Sequence, residues 1–455
     1  MLLHLPKTSF PLASLGVLLV FGILATLYSL VTPLWEAPDE VGHFQYIAHL
    51  SAGRGLPIQR IGEFGEAHQP PLYYIIAALA AMPADLDDFT GSFTPNPRFI
   101  WARQGGDEVN IGVHTTAETF PFQGQALGLR LARGMSVLLA FLTVAVTLAI
   151  GREIFPERPL IAVFGASLVA LTPQFLFISG AINNDNLLTL AATGAWWQIV
   201  RAIKRPEQWR QWAYVGVWAG VGILAKVSGP VILGVAGCAL LACALQRRSP
   251  RLFVKGASAI AFVVLLMTGW WFVRNQVLYG DPLGWTMYQM VFPSDLRETP
   301  LQWHEVAGFF SVQFRSFWAV FGWMNVAPHP WFYIPYSLLW PLALLGLALL
   351  AARRRFGNLS GSQAAAVALL FATIMVQETF LASLATFCDA SCYQGRYLFP
   401  VIGPLMILTS LGIISLVPRR LTVPVVGCIV VVLFGATALA PMWVIRPAYQ
   451  VATSL

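Results

Sequence analysis

The sequence predicts an all-α integral membrane protein with about 11 transmembrane helices. Charged residues make up 11% of the chain and hydrophobic residues 57%, whereas soluble domains carry about 25% charged residues. Apolar runs of about twenty residues, long enough to cross a hydrocarbon core of ~30 Å, recur along the chain. The sixteen Trp and twelve Tyr suit the aromatic belts at the two membrane interfaces.

The apolar runs define the predicted spans. We expect them at about 11–32, 127–150, 160–179, 187–203, 212–225, 229–246, 252–272, 331–351, 363–384, 397–417 and 421–443. The first run is long for a signal peptide and no small-residue cleavage site follows it, so we expect a retained helix. The segment 226–230, "KVSGP", separates two spans because Gly and Pro interrupt helices.

The basic residues predict the orientation of these spans. With the N-terminus in the cytoplasm, the inside loops hold most of the basic residues, including Lys7 and Arg353–Arg355, and few of the 21 acids. The positive-inside rule favours this orientation. It leaves two long extracytoplasmic segments, 33–126 and 273–330, in a single polytopic domain over 1–455. Neither a Walker A sequence nor a GxGxxG after a strand is present, so cytoplasmic nucleotide chemistry is not expected.

The first extracytoplasmic segment begins with "WEAPDEVGHFQY", residues 35 to 46. Asp39 and Glu40 suit the start of a helix, where the dipole favours acids, and His43 lies on the same helix face. These acids either cap a surface helix or form part of a site, and Glu36 is expected to be interfacial. A second interfacial helix, or a plain membrane anchor, is predicted at 68–82, "HQPPLYYIIAALAAM".

Further polar residues lie at the predicted outer ends of spans. Asn184 and Asp185 are either a helix cap or the polar floor of an outward cavity. Placing the charges of Lys226, Arg274 and Arg396 there costs free energy unless each is paired or functional. Alternatively, each side chain could extend its charged end to the interface. Because Arg binds phosphate oxygens bidentately, a lipid phosphate is the natural ligand.

Two cysteines, Cys388 and Cys392, bracket a polar loop, "CDASC". A disulfide between them is expected if that loop faces an oxidising compartment. A metal pair is less favoured, because no second Cys/His pair lies nearby in the sequence.

The segments "APDEVGHFQYI", "HQPPLYY", "INNDNLLTL", "RNQVLYGDP" and "QGRYLFP" together resemble the GT-C superfamily of polytopic glycosyltransferases. The resemblance runs from the first helix to about residue 400. It is strongest to a bacterial family of membrane proteins of unknown function, with protein O-mannosyltransferases and lipid A aminoarabinose transferases as more distant relatives. It implies an inverting hexosyl- or pentosyltransferase of the bacterial inner membrane. The implied donor is a polyprenyl-phosphate sugar, and the acceptor an envelope glycan, lipid or protein; no nucleic-acid partner is expected.

By this resemblance, Asp39-Glu40 match an acidic motif and Pro70-Pro71 begin the second interfacial helix. Asp39 would be the general base on the acceptor hydroxyl, with its pKa raised by desolvation. Glu40 would position the acceptor or bind a metal. The substrate-binding candidates are His43, His68, Asn184, Asp185, Lys226, Arg274, Tyr279, Arg396 and Tyr397.

Three questions stay open at this point. Asp39, Glu40, His43 and His68 offer ligands for a divalent metal, but no complete ligand set is visible. A transporter or flippase of lipid-linked sugar is an alternative, although transporters place their charges near the bilayer midplane, and only Glu378 is assigned to a span. A non-catalytic protein that binds a polyprenyl lipid is the third possibility.

Overall fold

The computed structural model describes residues 9–63, 65–86, 93–100, 107–352 and 359–449. Lys7 and Arg353–Arg355, which contribute to the predicted charge asymmetry, lie outside these residues. Regular structure in the described ranges is helical, with three isolated β-bridges, so the predicted all-α class is confirmed. The α-helices are α1 (Ser9–Val31), α2 (Glu40–Ser51), α3 (Leu72–Ala81), α4 (Gly124–Ile154), α5 (Pro159–Ala170), α6 (Pro173–Ser179), α7 (Asp185–Lys204), α8 (Trp209–Ala225), α9 (Val231–Gln246), α10 (Pro250–Tyr279), α11 (Trp285–Val291), α12 (Val306–Trp318), α13 (Ile334–Ser337), α14 (Leu339–Ala352), α15 (Gly361–Leu384), α16 (Ile402–Leu416), α17 (Thr422–Ala440) and α18 (Arg446–Ala448).

Each predicted span coincides with a helix or with two consecutive helices. Within the described residues, seven helical segments are long and apolar enough to cross a membrane. An eighth results if α5 and α6, which bend by 65° at their junction, count as one span. The helices α7, α8 and α9 occupy three further predicted spans but fall short in length or hydropathy. The protein is therefore a multi-span membrane protein, and the predicted number of about 11 crossings is not established by the helices alone.

The centre of the bundle is α7. It packs against α4, α8, α9 and α15, and most of its residues are buried. Its low hydropathy follows from this position, because Thr189, Thr193 and Gln198 face other helices rather than lipid.

Small residues bring other helices into close contact. A Cβ atom at Gly412 of α16 would collide with the backbone of Ala343 in α14, and one at Gly346 would collide with Gly412. Glycine at these positions lets the two backbones touch, as is common where helices pack in membranes.

The helices α2 and α3 form at the two positions predicted for interfacial helices. The structure buries α2 more deeply than a surface helix would be, with eight of its twelve residues buried, including Glu40 and His43. It packs against α3, and Phe44 of α2 contacts Trp35 with ring centroids 5.3 Å apart.

The ends of several helices meet beside α2. They are the end of α1, the start of α7, the turn between α8 and α9, and a short 3-10 helix, Gly395–Val401, that precedes α16. Trp196 of α7 donates to Pro400 O at 2.7 Å, and a side chain at Gly395 would collide with the backbone of Phe317 in α12. Gly395 therefore lets the 395–401 segment pack closely against α12. This packing places Arg396 beside the start of α2.

Candidate active site

Asp39 precedes α2 and adopts a left-handed backbone conformation with φ of 64°, which Asp tolerates better than most residues. Its side chain makes no capping hydrogen bond to the helix, so of the two alternatives for Asp39 the side-chain cap is not the one observed. Arg396 Nη2 instead donates to Asp39 Oδ2 at 2.8 Å. The Asp39 side chain is 35% exposed and that of Arg396 is 4% exposed. The site therefore opens to solvent at the carboxylate and is closed behind the guanidinium.

The pKa of Asp39 moves in the direction opposite to that expected. Burial is the largest single effect and acts to raise it, but the charge and hydrogen bond of Arg396, together with His43 and Lys226, outweigh burial and hold the pKa below its usual value. The sequence-based expectation of a raised pKa is therefore wrong. Asp39 is ionised at neutral pH and can accept a proton.

A second ion pair lies next to the first. Lys226, in the turn between α8 and α9, places Nζ 2.5 Å from Asp185 Oδ1. The Tyr397 ring contacts both cations, with Lys226 Nζ 4.9 Å and Arg396 Cζ 5.0 Å from its centroid. Asn183 Oδ1 accepts from the backbone N–H of Asp185 at 2.8 Å, so capping here comes from Asn183.

Several buried polar atoms around these ion pairs lack hydrogen-bond partners among the described residues. They are Arg396 Nε and Nη1, Asp185 Oδ2, Asn184 Oδ1 and His68 Nδ1. A buried polar group without a partner is rare in proteins and usually marks a place for a water molecule, an ion or a ligand. The two unpartnered nitrogens of Arg396, Nε and Nη1, are donors of the kind that suits an anion.

Neutral polar residues line the side of the site formed by α2 and α3. His43 Nδ1 shares a 2.9 Å hydrogen bond with the Tyr74 hydroxyl, and Asn184 Nδ2 donates to Gln69 Oε1 at 3.3 Å. Gln69 Nε2 is 3.1 Å from His68 Nε2. Burial lowers the pKa of His43 to about 3 and that of His68 to about 4. Both imidazoles are therefore neutral at physiological pH.

Three acidic or phenolic residues at the site were missed from the sequence. Glu66 precedes His68 by two residues, and burial and the charge of Asp39 raise its pKa to about 8. Tyr288 of α11 donates to Asp295 Oδ2 at 2.9 Å, and burial, with Asp389 and Asp39 adding to it, raises the pKa of Asp295. Glu66 was within reach of sequence analysis because it lies two residues before the quoted "HQPP" motif. Tyr288 and Asp295 lie in two short helices, α11 and a 3-10 helix at Pro293–Asp295, without a comparable sequence pattern.

Glu40 faces away from the Asp39–Arg396 pair. Its side chain has no exposed surface, and it accepts from Arg133 Nε at 2.8 Å, Arg133 Nη2 at 2.5 Å, Ile182 N at 2.9 Å and Trp35 N at 3.0 Å. Arg133 in turn donates to three carbonyls at the end of α1. Both Glu40 oxygens are occupied, so these contacts join α1, α4 and α7, and a role on acceptor or metal would require them to break.

Arg133 also corrects the sequence analysis. It lies within the predicted span 127–150. The sequence analysis recognised a charge inside a span only at Glu378, in the predicted span 363–384. An intramembrane charge is expected to have a partner, and Glu40 is that partner.

Arg274 and Tyr279 belong to a neighbouring contact rather than to the Asp39–Arg396 pair. Arg274 Nη2 donates to Pro57 O at 2.6 Å, and Gln59 N donates to the Tyr279 hydroxyl at 3.1 Å. Both residues therefore attach the 57–59 loop to the end of α10.

Glu36 is buried rather than interfacial, which overturns the expectation for it. It has no exposed surface and accepts from Ile111 N at 3.1 Å, Gly112 N at 3.3 Å and His114 Nε2 at 3.0 Å. Burial acts to lower the pKa of His114, but Glu118 and Glu36 outweigh it and raise this pKa to about 9. The cluster links the end of α1 to residues 111–118.

Within the described residues, no three His, Cys, Asp or Glu side chains are arranged to hold an ion. Asp39, Glu40, His43 and His68 do not converge on one point, since Glu40 faces Arg133. No metal-binding role is assigned to them.

Cys388 and Cys392 are joined by a disulfide, with Cα atoms 5.8 Å apart.

Comparisons with known proteins agree with this architecture. The sequence profile of a family described as dolichyl-phosphate-mannose-protein mannosyltransferase matches residues 126–271, less than half of the chain. No curated protein sequence matches. ArnT from Cupriavidus metallidurans bound to undecaprenyl phosphate superposes with a TM-score of 0.54 at 13% identity, over 96% of this chain and 75% of that one. Its apo structure gives a TM-score of 0.53 at 13% identity, over 94% and 74%. Archaeal oligosaccharyltransferase AglB from Archaeoglobus fulgidus gives 0.48 at 13% identity, over 96% and 55%.

The protein is thus a polytopic membrane protein with the GT-C fold. The resemblance seen in its sequence motifs is confirmed at this level. At 13% identity the ArnT match establishes the fold alone.

Proposed function

We propose that the protein is an inverting glycosyltransferase of the bacterial inner membrane. It transfers a hexose or pentose from a polyprenyl-phosphate donor to an envelope glycan, lipid or protein at the extracytoplasmic face. The observation that carries this proposal is the Asp39–Arg396 contact. It sets a partly exposed, ionised carboxylate beside a buried guanidinium whose Nε and Nη1 have no partner in the protein. A base and an anion site are the two requirements of this reaction.

The reaction uses each of these groups at a defined bond. Asp39 takes the proton from the acceptor hydroxyl as its oxygen attacks the anomeric carbon of the sugar. The bond between that carbon and the donor phosphate breaks, and polyprenyl phosphate leaves with the bonding electrons. Arg396 and Lys226 stabilise the negative charge on the departing phosphate. Attack from the face opposite the phosphate inverts the anomeric centre.

The lipid class of the donor has two independent supports. ArnT, which shares the fold, was crystallised with undecaprenyl phosphate. The mannosyltransferase profile spans residues 126–271, which include Asp185 and Lys226 of the second ion pair. Both supports point to a sugar carried on a polyprenyl phosphate.

The extracytoplasmic placement of the site rests on charge and on sulfur chemistry. Lys204 of α7 contacts Glu153 of α4 at 2.5 Å, so the predicted cytoplasmic ends of these helices meet away from Asp39. Near the site, the Tyr288 hydroxyl is 3.6 Å from Cys392 Sγ of the disulfide. Disulfides persist in oxidising compartments such as the periplasm.

The proposal is tested with purified protein in lipid nanodiscs and a panel of polyprenyl-phosphate sugars and envelope acceptors. We expect one donor to release free polyprenyl phosphate and to give a product of inverted anomeric configuration, measured by mass spectrometry and NMR. In liposomes, a flippase would instead move the lipid-linked sugar across the bilayer intact. Binding of the lipid without either outcome would identify a non-catalytic protein.

A further inference from the structure

Glu66 lies beside the catalytic candidate Asp39, against the first turn of α2. Its side chain is 13% exposed, and a Cβ atom at Gly42 would lie 3.2 Å from Glu66 Cγ. Gly42 follows Asp39 by three positions, so both are on one face of the helix. The absence of a side chain at Gly42 therefore gives Glu66 its place next to Asp39.

The two cations of the site are already engaged. Arg396 is paired with Asp39 at 2.8 Å and Lys226 with Asp185 at 2.5 Å. Glu66 is a further carboxyl group, and no Lys or Arg among the described residues lies within ion-pair distance of it. His68 Nε2 lies 3.8 Å from Glu66 Oε2, and that imidazole is neutral. A buried carboxylate without a cation is costly, and such a group takes up a proton instead.

The surroundings of Glu66 also favour its protonated form. Burial and the negative charge of Asp39 raise its pKa to about 8, against the opposing effect of Lys226, Gln69 and Arg396. The titratable and charged groups that face it from the packed elements are Asp39, His68, Tyr74, Lys226, Tyr288 and Arg396. Asp39 and Glu66 thus form a carboxyl pair with pKa values moved apart, which divides their roles.

We propose that Glu66 is a neutral carboxylic acid in the resting site and donates a hydrogen bond to the anionic phosphate of the lipid donor. This inference rests on the proposed function. An ionised Glu66 would repel a phosphate bound at the free N–H groups of Arg396, whereas the protonated acid is a donor. No proton leaves Glu66 in the reaction, because the proton of the acceptor goes to Asp39. Glu66 is therefore a binding residue that senses alkaline pH.

The decisive variant is Glu66→Gln, which keeps the length of the side chain and presents a neutral N–H donor at every pH. Wild-type affinity for undecaprenyl phosphate should fall about tenfold as Glu66 ionises above pH 8, the loss expected for a hydrogen bond to a charged group. Glu66→Gln should keep the affinity seen at pH 7 and lose that alkaline fall, and Glu66→Ala should bind weakly throughout. Glu63→Gln is the matched control, because its side chain is 57% exposed on the same loop.

A second measurement separates this inference from the proposed function. Infrared spectroscopy should show the carbonyl band of a protonated carboxylic acid at neutral pH, absent in Glu66→Gln and lost in the wild type near pH 8. This readout needs no donor and no turnover. A folded Glu66→Gln protein that no longer binds undecaprenyl phosphate, or a wild-type spectrum without that band, would overturn the inference. Failure of the donor panel with the band present would refute only the proposed function.

Discussion

Asp39 and Arg396 are 357 positions apart in the sequence and share a 2.8 Å hydrogen bond from Nη2 to Oδ2. The contact joins the residue that precedes α2 to the 3-10 helix that precedes α16. Arg396 is buried and Asp39 is partly exposed, so the pair presents a carboxylate to solvent with fixed positive charge behind it.

Glu40, although adjacent to Asp39, should act on stability. Glu40→Gln leaves the buried Arg133 without its carboxylate, and breaking a buried ion pair costs about 3–5 kcal/mol. We expect a clear fall in the free energy of unfolding, measured by thermal or chemical denaturation in detergent. Glu153→Gln, which removes the partly exposed pair with Lys204, should cost about 1 kcal/mol or less. A Glu40→Gln protein of wild-type stability that has lost transfer would place Glu40 in the chemistry instead.

Arg396 should contribute to lipid-phosphate binding through the geometry of its guanidinium as well as through its charge. Arg396→Lys keeps the charge but loses the fork that can contact Asp39 and phosphate together. We expect affinity for undecaprenyl phosphate to fall about tenfold or more, measured by equilibrium binding. Arg274→Lys is the control, because Arg274 uses Nη2 on Pro57 O. A larger loss in Arg274→Lys would mean that the phosphate binds at the end of α10.

Gly42 should matter because of the space it leaves. Replacing a helical Gly by Ala normally stabilises a helix by about 1 kcal/mol, but here the added Cβ would lie 3.2 Å from Glu66 Cγ and 3.4 Å from Gly65 Cα. We expect Gly42→Ala to stay folded and to bind undecaprenyl phosphate more weakly, as Glu66 is pushed from Asp39. Gly134→Ala in α4, where no atom lies within 4 Å of the added Cβ, should leave binding unchanged.

The two neutral histidines, His43 and His68, should make the folding stability of the protein fall at acid pH. The pKa values of His43 and His68 are lowered by burial to about 3 and about 4, whereas an exposed imidazole titrates near pH ~6.5. Below that pH the unfolded chain takes up protons that the folded protein does not. Stability is therefore fully present above about pH 6.5 and falls as the pH approaches 4, by up to ~1.4 kcal/mol per pH unit for each His.

The measurement is the unfolding free energy between pH 4 and pH 7 in the wild type, in His68→Gln and in His304→Gln. His68→Gln should show a shallower slope, because one of the two groups is removed. His304 is exposed, and its replacement should leave the slope as in the wild type. Equal slopes in all three proteins would show that His68 is not held neutral in the folded state.

The fold class was predictable because long apolar runs in the sequence mark the positions of the helices. Each predicted span coincides with a helix or a helix pair, since long apolar segments have few alternatives in a membrane. The number of crossings was not predictable, because α7 is shielded by neighbouring helices and can carry polar residues such as Thr189 and Gln198.

The candidate site was predictable where charged or polar residues lie at the outer ends of apolar spans. Asp39, Asp185, Lys226 and Arg396 were singled out for that reason, and the structure brings them together. Partners that depend on tertiary contacts were not predictable. Glu40 and Asp39 are neighbours of the same type in the sequence, yet only the fold turns one toward Arg133 and the other toward Arg396.

The central claim is that Asp39 is the base of a sugar transfer, and single-turnover transfer from the active donor tests it directly. Asp39→Asn should stay folded, because Asn tolerates the left-handed backbone at this position and the Asp39 side chain, unlike that of Glu40, is partly exposed. It should slow transfer by about 10²-fold or more and still bind undecaprenyl phosphate, while Glu63→Gln transfers at the wild-type rate. A folded Asp39→Asn protein that transfers sugar as fast as the wild type would contradict the account.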